Sequence, residues 1–478
     1  MKNKMYMNSS TAYFIKNYLN SRMFQIPHGT IALLFLLIMG CSDFVEVGPP
    51  KNILVSETVF NDAATVESAL ANIYFKMREQ GMVSGNFGIT TGIGIYSDEL
   101  DYYAFDAGNS QLYLHNVLPS NEIITGWWSQ SYNLIYSTND VLKGVENSNE
   151  LTVAEKDRFK GQALVVRSYI YGLLTGLYGD VPYITGTDYL ENNIAVRTPE
   201  ATVKENILSD LQLAIELLEG AEITSVERVV PDQWAAKALL ARMYLYTENW
   251  ERAALMATEL IDNFSLETDL TKVFLKESPE TIWQLKDGEN PKNTQVANQL
   301  VIRFIPGQTY SLTNQLSMAF ETGDLRKINW TDTQSDTDST VTLRFAHKYK
   351  ATLTETESLE YFILLRLAEQ YLIRAEARTR LGDISGALLD LNTIRNRAGL
   401  PDSDVATANE LLDAILRERR VELFTELGLR WLDLKRTDTA GEVLSGLKAN
   451  WKQTDVLLPI PETELEINPN LLPQNPGY

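Results

Sequence analysis

Residues 361–400 read YFILLRLAEQYLIRAEARTRLGDISGALLDLNTIRNRAGL. Leu364, Leu367, Ala368, Tyr371, Leu372, Ala375 and Leu381 recur at the three-and-four spacing of a helix with one buried face. Leu381-Gly382-Asp383 ends that helix, and Ala387, Leu388, Leu391, Ile394 and Ala398 open a second periodic run that closes at Gly399. So short a connection joins the two only as an antiparallel hairpin. Small alanines beside large Leu and Tyr side chains, on both sides of a Leu-Gly-Asp turn, make this a degenerate tetratricopeptide-like unit. A third helix is expected over Leu411–Leu427, running through Gly428 into Leu429–Arg436. Arg419 and Glu422 fall on or beside its apolar face. Charges bordering a core are costly unless paired, so Arg419, Glu422, Glu426, Arg430 and Asp433 are expected to form a structural ion-pair network.

Upstream, Trp234–Tyr246 and Trp250–Ile261 repeat the alanine-lined pairing about a tight turn at Glu248-Asn249. Helical periodicity also marks Asp62–Met77, Thr125–Glu146, Glu155–Leu177 and Glu200–Leu218. Two stretches break the rule. Gly81–Ser120 is rich in Gly, Asn, Ser, Asp and Tyr and shows no helical period, so it reads as a surface excursion. Residues 264–350 carry two strand-like alternations, Thr281–Leu285 and Thr340–Phe345, around a polar stretch at 332–340 that reads as mobile. The proline-rich C-terminus, from Leu457 to Tyr478, reads as irregular chain wrapped over the body. The expected class is mostly α, with tetratricopeptide-like helical hairpins, long loop-rich insertions and minor β.

The chain carries 42 basic and 63 acidic residues, for a net charge of −21, which argues against a nucleic-acid partner. With 3 His and 1 Cys, an intramolecular disulfide is impossible, and metal sites or catalytic triads built on His find little support. No cofactor motif is present. The one cysteine follows a basic segment and the apolar run Ile31–Met39, too short to cross a bilayer, so residues 1–40 read as a secretory signal. Ile-Met-Gly-Cys resembles a bacterial lipoprotein lipobox, which makes Cys41 the acylated mature N-terminus and residues 41–57 a tether. Residues 58–478 then form the body, with portions of about 58–215 and 216–478.

Aromatic residues in the excursions carry the functional signal. Trp127, Trp128, Trp234, Trp250, Trp283 and Trp431 sit inside periodic elements and read as core. Tyr102, Tyr103, Tyr310 and Trp330 lie where helical packing does not require them, and Asp101, Asp106 and Asn109 stand nearby. A ring flanked by hydrogen-bonding side chains suits the apolar face and hydroxyl rim of a sugar. Asp98, Glu99, Asp101 and Asp106 together read as a solvated or calcium-touching loop, and a two-carboxylate glycoside hydrolase stays open beside that reading.

Ordered motifs bring a resemblance. They are Cys41-Ser-Asp, Tyr132–Val141, Gly161–Arg167 with Tyr178-Gly-Asp-Val-Pro182, Arg366–Glu376, Arg395–Gly399, Glu418–Leu423 with Arg430–Leu434, Leu458-Pro-Ile-Pro461 and Gln474–Tyr478. In this order the chain resembles the SusD/RagB family of outer-membrane nutrient-binding lipoproteins. The resemblance implies a body of four tetratricopeptide-like helical pairs at the cell surface, and a SusC-like TonB-dependent outer-membrane transporter as partner. It implies capture of an oligosaccharide ligand without cleavage; capture of a peptide or another nutrient by the same machinery is the alternative.

Overall fold

The computed structural model describes residues 59–221, 227–289 and 291–478. The leader, Cys41 and the rest of the tether lie outside them. The first part holds α1 (Ala63–Glu79), the short elements α2 (Ile89–Tyr96), β1 (Leu100–Tyr102) and α3 (Ala107–Tyr113), and the long helices α4 (Glu122–Asn147) and α5 (Val153–Tyr178). After α6 (Tyr189–Asn192) come α7 (Glu200–Leu218), α8 (Gln233–Tyr246) and α9 (Trp250–Asn263). The insertion holds β2 (Thr281–Leu285), α10 (Gln295–Leu300), β3 (Tyr310–Leu312), α11 (Asn314–Ala319), α12 (Leu325–Asn329), β4 (Thr331–Ser335), β5 (Thr342–Ala346) and β6 (Phe362–Arg366). The chain closes with α13 (Leu367–Arg380), α14 (Ile384–Arg397), α15 (Ala408–Glu422), α16 (Leu429–Arg436), α17 (Ala440–Leu444) and α18 (Glu462–Ile467).

The helix ends are written in side chains. Asn121 accepts from the Ile123 and Ile124 amides at the start of α4, and Thr152 with Glu155 forms a reciprocal capping box on α5. Gly179, at φ 74°, ends α5 in a conformation an L side chain rarely adopts. The helices then stack in succession: α1 on α4, α4 on α5, α5 on α7, α7 on α8, α8 on α9, α9 on α13, and α13 on both α14 and α15. Residues 264–366 leave this stack and return to it, so α13 packs on α9 across the insertion. Alanine makes the approach possible: Ala236, Ala241, Ala253, Ala257, Ala375 and Ala387 are fully buried. At Gly161 the approach is tighter still, since a β-carbon there would lie 2.5 Å from Leu218 Cγ.

Three two-stranded antiparallel sheets, β1–β3, β2–β6 and β4–β5, complete the body. The mostly helical class is what the sequence predicts, and several local expectations change. Gly81–Ser120 contains two helices and a strand. All eight residues of α2 are buried, so it has no polar face and no amphipathic period to detect. Leu364 belongs to β6, and the first helix of the opening hairpin starts at Leu367. The third helix stops at Glu422 rather than Leu427, because Thr425, Leu427 and Gly428 turn the backbone left-handed. The polar stretch at 332–340 is part of a hairpin: β4 pairs with β5 from Thr331↔Ala346 to Ser335↔Thr342, and Asp336 accepts from the Thr340 and Val341 amides at its turn. The C-terminus includes α18 and is pinned by Asn475, which donates to the Tyr178 and Leu458 carbonyls.

All five residues expected in one ion-pair network are paired, but they fall into three separate clusters with further members. Glu422, fully buried, pairs with Arg326 of α12 at 3.0 Å, with Arg366 of β6 at 2.7 Å, and with Arg397 of α14. Arg326 also meets Asp324 and Glu418, Arg366 meets Glu280 and Glu426, and Lys348 meets Glu426. Arg419 pairs with Asp433 at 2.7 Å. Arg430 instead reaches Asp98 at 2.8 Å, beside Arg420. These pairs clamp both excursions to the helical body: Asp98 is the root of the first, and Arg326 lies in the second. Among the described residues no helix is long and apolar enough to cross a membrane.

Candidate ligand-binding site

Antiparallel pairing of β1 with β3 brings the two excursions together, with Asp101 opposite Ser311 and Tyr102 opposite Tyr310. The Tyr103 amide continues the ladder by donating to the Thr309 carbonyl at 3.0 Å. Side chains alternate along β1, so Tyr102 turns inward and Tyr103 outward. The Tyr102 ring lies 5.7 Å from Tyr310 and 6.2 Å from Tyr113, and both Tyr102 and Tyr310 are buried. Tyr103 is partly exposed, its hydroxyl 3.1 Å from Ser311 Oγ. Asp101 accepts from the Tyr113 hydroxyl at 3.1 Å.

Asp106 caps α3 and gathers its neighbours: the Tyr102 hydroxyl donates to it, as do the Asn109 amide at 2.8 Å and the Asn109 side chain at 3.2 Å. Burial pushes the Asp106 carboxyl up, but the hydrogen bonds from Tyr102 and Asn109 outweigh that and hold it below the usual range. Burial and the Asp106 charge push the Tyr102 hydroxyl up. Asp106 is therefore a fixed anionic acceptor and Tyr102 a fixed donor.

Six expected site residues thus meet in one place: Asp101, Tyr102, Tyr103, Asp106, Asn109 and Tyr310. Trp330 does not join them. Its ring is fully buried between α12 and β4, edge-on to Phe274 at 5.5 Å, with its indole N–H donating to the Leu270 carbonyl at 2.8 Å. Lys348 lies 5.0 Å above that ring, so Trp330 is a core residue beside the ion-pair network. Asp98 and Glu99 also depart from expectation, because both are buried and neither belongs to a solvated loop. His115 is buried against Tyr96, and among the described residues no cluster of His, Cys, Asp and Glu is placed to hold a metal.

Phenylalanines supply what sequence reading missed. Phe105 is 97% exposed, Phe304 62% and Phe87 58%, all on the two joined excursions. Each stands among turn-forming residues, in Asn86-Phe87-Gly88, Ala104-Phe105-Asp106 and Phe304-Ile305-Pro306-Gly307, and that isolation is the signal that could have found them. Two contacts hold the Phe87 turn: Trp127 donates its indole N–H to the Phe87 carbonyl, and Gln299 of α10 donates to the Asn86 carbonyl at 2.6 Å. Next to Phe87 and Asp106 opens a groove of about 600 Å³, floored by Trp127 and lined by Gln80, Gln111, Asn121, Glu122 and Gln130. No Lys or Arg lines it. Rings, amides and carboxylates without a cation are the chemistry that receives a neutral polyhydroxylated ligand.

Known proteins share this architecture. The SusD family model matches residues 278–478, and a model described as starch-binding associating with outer membrane matches residues 43–245. A SusD-like protein P2 of Formosa agariphila is 28% identical over 94% of this chain and 99% of its own length. A SusD superfamily protein from Bacteroides vulgatus superposes with a TM-score of 0.77 at 21% identity, covering 88% of this chain and all of the other. A laminarin-binding SusD-like protein superposes with a TM-score of 0.73 at 22% identity, over 87% of this chain and 99% of the other. Two family models that between them span both halves of the body, and full-length relatives with the same helical stack, place the chain in one group: it belongs to the SusD family.

Proposed function

We propose that the protein captures neutral oligosaccharides at the outer membrane and passes them, uncleaved, to a SusC-like TonB-dependent transporter. One observation carries this reading. Phe87, Tyr103, Phe105 and Phe304 present exposed rings on two mutually paired excursions, and Phe87 lines a groove that offers amides and carboxylates but no cation. A uronate or sulfated glycan would bring negative charge against Asp106 and Glu122, so uncharged glycans fit better. Tyr102 and Tyr310 form the buried support of this surface, with Asp106 and Asn109 at its edge and Asp101 behind Tyr113. Names of relatives favour sugar over peptide, since laminarin and starch both appear among them. Family membership and the lipobox support membrane attachment through Cys41 and a transporter partner.

Calorimetric titration with neutral hexasaccharides tests the site, with a peptide mixture as comparison. Phe105→Ala and Phe304→Ala should each weaken binding by about tenfold to thirtyfold if the rings stack on sugar. Their melting temperatures should stay at the wild-type value, because the rings touch little else. Wild-type affinity in the Phe87, Tyr103, Phe105 and Phe304 alanine variants alike would remove this surface from the reading.

A further inference from the structure

On another side of α4 lies a second, smaller cleft of about 270 Å³. Trp127 faces the groove described above, whereas its neighbour Trp128 lines this cleft, about a quarter-turn around the helix. Three segments distant in sequence wall it: α4, the stretch from Pro182 to Asn193, and the C-terminal residues Glu464–Leu471. They are joined by hydrogen bonds to backbone. Tyr132 donates to the Pro182 carbonyl at 2.8 Å, Asn139 to Ile184 at 3.0 Å, Asn468 to Ala195 at 2.7 Å and Asn470 to Ile194 at 2.9 Å. The cleft is therefore held by interlocked walls.

We infer that this cleft is a second binding site for neutral oligosaccharide. Tyr136 and Tyr189 present rings to it that are 47% and 67% exposed. Asn133 and Asn193 line it with side-chain amides that make no hydrogen bond among the described residues. Glu464 faces the Trp128 indole N–H, and no basic side chain pairs with it among the described residues. Ring faces supply contact area for the apolar side of a pyranose, free amides donate and accept, and a carboxylate accepts from two hydroxyls at once. Burial pushes the Glu464 carboxyl up, so an occupant of the cleft has to bring hydrogen-bond donors in place of the water it displaces. A sugar hydroxyl pair satisfies it with no charge transfer into the cleft. Two sites on one helix would let a long glycan engage both, raising overall avidity by effective concentration.

The inference takes its ligand class from the capture reading but concerns different residues, and the test separates the two. Hydrogen exchange on the detergent-solubilised full-length protein is followed with laminarihexaose, maltohexaose, cellohexaose, xylohexaose and mannohexaose in turn. At least one sugar is expected to protect the backbone at 183–196 as well as the excursions. Tyr136→Ala with Tyr189→Ala should abolish that second protection and weaken the corresponding binding step about tenfold or more, while Phe105→Ala leaves it in place. Both tyrosines are exposed, so the double variant keeps its melting temperature. Protection confined to the excursions overturns the second site and leaves the capture reading standing. Absence of binding by any of the five sugars overturns both. Unchanged sugar protection at 183–196 in the double variant overturns the assigned residues. Ile467 lines the cleft with an exposed apolar side chain, and Leu190 and Ile194 stand exposed on the neighbouring stretch of chain. If the double variant loses co-purification with the barrel transporter and no sugar protects 183–196, the cleft is a protein-docking face and the inference fails.

Discussion

Glu99 and Glu422 are both buried carboxyls, and their surroundings drive them in opposite directions. Burial pushes Glu99 from the ordinary 4.5 up to about 7, aided by the Asp98 charge and opposed by the Thr425 amide, Arg430 and Lys348. Burial also acts to raise Glu422, but Arg397, Arg366 and Arg326 outweigh it and hold that carboxyl well below the usual range. For Glu99 the folded value lies above the unfolded one, so its contribution to stability is complete below pH 4.5 and is lost as pH rises through about 7. That loss is on the order of 3 kcal/mol at most. Glu99→Gln keeps an oxygen for the Thr425 amide and removes the titration, so its melting temperature relative to wild type should climb between about pH 5 and pH 8. A parallel pair of melting curves across that range would refute the assignment. Glu422 has the opposite sign: its contribution is present above the ordinary carboxylate value and lost in acid. Glu422→Gln leaves three guanidinium groups short of a charge and should destabilise by about 3 kcal/mol in urea unfolding near neutral pH. A change below about 1 kcal/mol would mean that Glu280, Glu418 and Glu426 already neutralise the hub. At this scale the sequence was partly legible. A charged residue on an apolar stripe announces a buried pair, which is how Arg419 and Glu422 stood out. Trp330 was misjudged because its burial comes from Phe274 and Lys348, contacts no local period can reveal. Phe105 stands outside any periodic run, and the fold leaves it in solvent.

Elements follow a similar rule, in which visibility depends on having two unlike faces. In the two hairpins α9 and α14 bury one side against the stack, whereas α8 and α13 are buried nearly all round and are legible instead through their closely spaced Ala and Leu. β1 and β3 are three residues each, and their pairing joins excursions that lie far apart in the chain, so neither strand carries a signal of its own. Yet that pairing is what builds the candidate ligand surface. The alignment of α5 with α7 rests instead on the missing side chain at Gly161. Gly161→Val would push a branched side chain into Leu218, which is almost fully buried on α7 and has little room to move. Overpacking of this kind costs about 1–3 kcal/mol, more than the helix propensity gained by replacing a mid-helix glycine. A lowered urea midpoint with unchanged sugar affinity is expected, because α5 lies behind the groove rather than in it. An unchanged or raised midpoint would show that α7 can shift to accept the new side chain.

For the whole molecule, the described body carries the candidate ligand sites, and the proposed lipid anchor lies in the sequence ahead of it. No helix among the described residues crosses a membrane, and the apolar run at 31–39 is too short to do so. The lipobox reading puts the proposed attachment on Cys41, the chain's one cysteine. A single acyl chain gives only marginal membrane affinity, so stable anchoring at this residue requires more than one chain on the same N-terminus. Cys41→Ala separates the two roles. The variant should leave the detergent phase for the aqueous phase on partitioning, and should be lost from transporter complexes recovered from native membranes. Its melting temperature and its affinity for a bound hexasaccharide should match the wild type, since Phe87, Tyr103, Phe105 and Phe304 lie wholly within the body. Equal partitioning of variant and wild type would sink the lipid anchor. Complexes that survive without the lipid would show instead that the body's own contacts with the barrel suffice, and that the anchor raises local concentration and nothing more.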